Sequence, residues 1–120
     1  MQRSLRTLIF IAASAAASLA GAGTQTTLTA WVLDSACAYT KNLSKPISSE
    51  CAIKCAKQGS PLVLLTDDGS IYLPVADTVP ANGQNARLLP FAGKRVTVTG
   101  TVFDRSGSRA IVISNLQPVK

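Results

Sequence analysis

Three cysteines and no histidine set the limits of the chemistry open to this chain. Cys37, Cys51 and Cys55 are its thiols. As thiolates, all three could hold a soft ion such as Cu(I) or Zn(II), with a fourth ligand from outside. Two of them could form a disulfide, leaving the third buried and inert, reactive, or bonded to another chain. Histidine is the commonest general base and metal ligand, so its absence excludes Ser-His-Asp, Cys-His and His-zinc sites within one chain. Carboxylates are sparse as well, with Glu50 the lone glutamate. The spacing of Cys51 and Cys55 is CxxxC, not the CxxC of thioredoxin-type oxidoreductases. No catalytic constellation stands out and no cofactor is implied, so the expectation is a non-enzymatic protein.

The fate of the thiols depends on the compartment. Arg3 and Arg6 precede an uncharged, alanine-rich run over 8–20, and Ala20-Gly21-Ala22 supplies small residues at a cleavage position. That is the pattern of a secretory signal peptide, and the run is short of the roughly 20 residues that cross a bilayer. The expectation is a leader over 1–22, a domain over 23–120, and a periplasmic or secreted destination with no membrane span after cleavage. Losing Arg3 and Arg6 takes two positive charges from a formal +6 and leaves +4. The remaining basic residues are scattered, which argues against a nucleic-acid footprint. No partner is indicated by composition.

In an oxidising compartment disulfides form and persist. Ser48, Ser49 and Glu50 signal a helix start and Gly59 a helix end, which predicts a helix over 49–58. Cys51 and Cys55 then lie at i and i+4, with Cβ atoms about 5–6 Å apart. A disulfide needs roughly 3.5–4.5 Å, so a bond between them would distort the helix. The expected bridge joins Cys37 to Cys55, the cysteine nearer the following strand, or alternatively Cys37 to Cys51. Under the first pairing Cys51 is the free thiol. Closing a loop of about 15–19 residues contributes on the order of 3 kcal/mol.

The elements that must hold these residues are mostly strands. A β-prone run containing Trp31 predicts a strand over 26–33, followed by a loop over 34–47. Strands over 62–66 and 70–75 flank the tight turn Asp67-Asp68-Gly69. Asn85 to Leu89 reads as one helical turn. Strict alternation of Val96, Val98, Gly100 and Val102 with threonines predicts a half-buried strand over 94–103, and a hairpin turn leads to a last strand over 109–116. Gly100 in mid-strand points to a bulge or bend. Five short strands bury one face best by closing on themselves. The expected fold is mainly β, a five-stranded OB-like barrel with one short helix between its first two strands.

Trp31-Val32-Leu33-Asp34-Ser35-Ala36-Cys37, Cys51 with Cys55, and Ala92-Gly93-Lys94-Arg95-Val96-Thr97-Val98-Thr99-Gly100 form a combined pattern. It resembles a group of small exported bacterial proteins of unknown function with an OB-like barrel. The resemblance implies that fold and compartment, and no activity. The group often has a Gly and a His soon after its first cysteine. Here Ala38 follows Cys37, which weighs against a metal site on Cys37, Cys51 and Cys55. Two other residues are candidates for binding. Asp34 either caps the backbone after the first strand or lines a site. Trp31 either packs on the barrel or offers a stacking platform, as an oligosaccharide- or nucleic-acid-binding barrel face would need.

Overall fold

The computed structural model describes residues 23–120. The leader expected over 1–22 lies outside them. Five strands form a closed barrel in the order β1-β2-β3-β5-β4, as expected from the alternating runs. They are β1 (Thr24–Asp34), β2 (Leu62–Thr66), β3 (Ile71–Pro74), β4 (Arg95–Arg105) and β5 (Ser108–Pro118). β1 serves two neighbours: its first part pairs with β4 and its last part, Ala30 to Asp34, with β2, all antiparallel. The short β3 closes the ring by pairing in parallel with β5 at Leu73 and Pro74.

The inward faces supply the core. Val32, Leu64, Val96, Val98 and Ile111 are fully buried there, and Val63, on the outer face of β2, is fully buried as well. Leu88 joins them from the short helix α3 (Asn85–Leu88), which lies between β3 and β4. Asn85 fastens α3 to the start of β2. Its Oδ1 accepts from the Leu62 N–H at 2.8 Å and its Nδ2 donates to the Ser60 carbonyl at 2.8 Å.

Gly100 acts as its position in the alternating strand suggests. The β4–β5 register shifts between Thr99 and Gly100, leaving Ser114 as the extra residue of a bulge. A Cβ at Gly100 would lie 2.3 Å from the Val112 carbonyl oxygen. The Ser114 hydroxyl donates to the Thr99 carbonyl at 2.9 Å, satisfying an acceptor that the disrupted ladder exposes.

The connection between β1 and β2 departs from expectation. The segment over 34–47, expected as a loop, contains helix α1 (Ser35–Thr40) and a 3-10 turn (Asn42–Ser44) before α2 (Ser49–Lys57) begins. α1 escapes a periodicity test because it is too short to repeat an apolar stripe. Its signal is the cap: Asp34 Oδ2 accepts from the Cys37 N–H at 3.1 Å, filling one of the orphan donors of a first turn. α2 forms where the sequence places it. Ser48 Oγ accepts from the Cys51 N–H at 3.2 Å, and Gly59 at φ +100° takes the left-handed turn-off. Gly93, at φ +74°, lets α2 sit against the strand that follows; a Cβ there would lie 2.3 Å from the Ser49 Cα. No helix among the described residues is long and apolar enough to cross a membrane.

Candidate functional site

All three cysteines belong to the helical insertion between β1 and β2. Asp34, at the junction of β1 and α1, organises them. It is 2% exposed, the buried charged side chain among the described residues. Burying a carboxylate is costly unless hydrogen bonds compensate. Here the Cys37 backbone N–H supplies one at 3.1 Å. Asp34 thus caps α1 and lines a site at once, so the two expectations for it coincide in one residue.

Two openings meet at Asp34. One is a cavity of about 20 Å3 between α1 and α2, lined among others by Asp34, Cys37, Lys41, Lys45, Ser48 and Cys51. That is room for about one water. The other is a shallow groove bordered by Asp34, Ala36, Lys54, Cys55, Gln58 and Ser60. Cys37 and Cys51 therefore share a cavity, and Cys55 opens elsewhere. The α2 residues turned fully into the core are Ala52 and Ala56, while Cys51 and Cys55 stay half-buried beside them.

The electrostatics follow from this placement. Burial, the hydrogen bond to Asp34 and the Asp34 charge push the Cys37 thiol above its ordinary value, with Lys45 offsetting part of the shift. Cys55 is pushed up by desolvation, by the Asp34 charge and by its hydrogen bond to Cys51. Both thiols are thus held protonated at neutral pH, the opposite of an activated thiolate. Cys51 acts on both neighbours, whereas neither Cys37 nor Cys55 figures among the groups acting on the other.

The three cysteines are free thiols in the structure, so neither expected bridge, Cys37 to Cys55 or Cys37 to Cys51, is formed. The physical arrangement also separates the two pairings. Cys37 and Cys55 face different openings, while Cys37 and Cys51 face one. The three-thiolate metal site is not assembled either: among the described residues no group of three or more Cys, Asp or Glu side chains is arranged to hold an ion. Trp31 lies away from the thiols on β1, half-buried, opposite Leu65 of β2 and Arg95 of β4, and packed against the core. Asp67 and Asp68 form the β2–β3 turn, as expected, with Asp67 paired to Arg95.

No protein-family pattern, curated protein or solved structure matches this chain. The functional argument therefore rests on the site itself.

Sequence reasoning found the cysteines and Asp34 but missed two features of the insertion. The side chains of Tyr39, in α1, and Leu43, in the 3-10 turn, stand in solvent. Asn42, at φ +50°, pins this segment by donating from Nδ2 to the Ala38 carbonyl at 3.0 Å and the Gly69 carbonyl at 3.2 Å. An asparagine just past a short helix is a fair signal for a left-handed stop. The exposed apolar pair carries no sequence signal, because polar residues separate its members.

Proposed function

We propose that this chain is an exported, non-enzymatic β-barrel module that acts by binding, with the helical insertion between β1 and β2 as its working end and a Cys37–Cys51 disulfide as its fastening. The observation that carries the proposal is the shared cavity: Cys37 from α1 and Cys51 from α2 line one small space. Oxidation removes one proton and one electron from each thiol and joins the sulfurs, with a disulfide-bearing oxidant of the exported compartment as acceptor. The bond would tie α1 to α2 and avoid the i, i+4 bond between Cys51 and Cys55 that would distort α2. Cys55 remains as a thiol. The insertion also occupies the position of the loop between strands 1 and 2, one of the places where OB-type barrels take ligands. The protonated state of Cys37 and Cys55 supports a structural role over a nucleophilic one.

The test is intact-mass analysis of the full chain expressed in a bacterial host and recovered from outside the cytoplasm, with and without thiol alkylation. The expected product has lost residues 1–22, is two hydrogens lighter than its reduced form, and takes one alkyl group when unfolded without reductant. Three alkylatable thiols, or copper or zinc carried through purification, would replace this reading with a thiol-based redox or soft-metal protein.

A further inference from the structure

The insertion carries a second feature, independent of its sulfurs. Tyr39 is 69% exposed and Leu43 is 46% exposed. They stand four residues apart, at the end of α1 and in the 3-10 turn, and Lys41 and Lys45 alternate with them. A large aromatic and a large aliphatic side chain left in water have an explanation when a surface covers them.

Three further observations say what covers them. The segment is rigid: Thr40 Oγ1 donates to the Ala36 carbonyl at 2.7 Å, and Asn42 ties the segment to the β2–β3 turn. The backbone that carries the two side chains is therefore held in place, so contact need not order the segment itself. The flanking charge is of one sign. Lys41, Lys45, Lys54 and Lys57 are exposed and have no ion-pair partner among the described residues. Few carboxylates oppose these lysines: Asp34 is buried, Asp67 is paired with Arg95, and Asp68 is bonded to Thr66 and Ser70 in the β2–β3 turn. Glu50, in the first turn of α2, is the remaining carboxylate of the insertion.

An amphipathic tyrosine and a leucine, projected between lysines, match the interface of an anionic bilayer. The rings and methyls would enter the headgroup boundary while the ammonium groups meet the phosphates. We infer that the insertion is a peripheral membrane-docking surface, and that the partner in the proposed binding role is the anionic phospholipid headgroup layer. This inference rests on the reading of the insertion as the working end, and names what it binds.

The experiment uses a chain of residues 23–120, which holds all five strands of the closed barrel. Co-sedimentation is measured with vesicles of phosphatidylcholine alone and of phosphatidylcholine mixed with phosphatidylglycerol. Binding is expected to the mixed vesicles and to fall as sodium chloride is raised. Each of Lys41→Glu and Lys45→Glu should weaken partitioning about fivefold or more, from the usual contribution of one basic residue near an anionic surface. Tyr39→Ser with Leu43→Ser should weaken it without changing its salt dependence. Arg105→Glu, in the β4–β5 hairpin beside the opposite end of β1 from the insertion, makes the same change of net charge and should leave binding as it was.

Equal loss from Arg105→Glu and Lys41→Glu would overturn the inference, because net charge alone would then explain binding. So would equal binding to both vesicle types, no binding to either, or retention on a sulfated polysaccharide with none on vesicles. None of these outcomes would touch the intact-mass result, so failure of the membrane inference is distinguishable from failure of the module itself.

Discussion

The barrel and its insertion solve opposite problems with the same chain. In the barrel, aliphatic side chains fill the interior, backbone groups are matched by neighbouring strands, and two exposed ion pairs form, Asp67 with Arg95 and Asp104 with Arg109. The insertion keeps a buried carboxylate, three half-buried thiols, unpaired lysines and two large apolar side chains in solvent. Stability resides in the first region and chemistry in the second. The two regions join where Asp34 turns β1 into α1, where Gly93 admits the start of α2, where Asn42 bonds the β2–β3 turn, and where Ala38, Ala52 and Ala56 enter the core.

The largest expected effect lies in the barrel. Leu64→Ala empties a fully buried position and should cost about 2–5 kcal/mol in denaturant unfolding, whether or not the thiols are oxidised. A loss below 1 kcal/mol would mean that the core is not close-packed around β2, and the contrast between the regions would weaken.

Next comes the fastening. In oxidised protein, Cys37→Ser should lower stability by on the order of 3 kcal/mol, and Cys55→Ser should change it little. After reduction the difference between these variants should largely vanish. A Cys55→Ser variant that loses as much as Cys37→Ser would assign the bridge to Cys55.

Asp34→Ala should cost about 1 kcal/mol through loss of the α1 cap, and it has a second readout. Asp34 helps hold the Cys37 and Cys55 thiols above their ordinary values. Removing its charge should shift the alkylation profile of the reduced protein toward lower pH. The sign carries into stability. A thiol with a raised folded value favours folding below its unfolded value and loses that contribution as pH rises through the folded one. Reduced wild-type protein should therefore weaken at alkaline pH more than reduced Asp34→Ala.

The smallest effect returns to the barrel. The Thr66 hydroxyl and the Ser70 backbone and side chain hold the Asp68 carboxyl below its ordinary range. A depressed carboxylate contributes above its unfolded value, and the contribution fades as pH falls through the folded one. Thr66→Val should flatten that acid limb of the stability profile slightly, and an unchanged limb would remove Asp68 from the account.

The same contrast explains what could be read from sequence. The barrel is written in periodicity, so the alternation through Val96 and Val98, the glycine at 100 and the Asp67-Asp68-Gly69 turn lead directly to strands, a bulge and a hairpin. The insertion is written in single residues. α2 was legible because Ser48 and Gly59 bracket it; α1 was not, since its one signal is a carboxylate whose partner is the N–H of a residue three along. The openings could not be read at all. Which cysteines share a space depends on how α1 and α2 lie on the barrel, a long-range relation that spacing along the chain does not encode. That is why distance along the sequence favoured Cys55 as the partner of Cys37, and placement in space favours Cys51.

Peptide mapping of the protein recovered from outside the cytoplasm, digested without reduction, separates these pairings. The expected result is a linked pair of peptides containing Cys37 and Cys51, with Cys55 alkylated on its own. A Cys37–Cys55 link, or three singly alkylated cysteines, would contradict it.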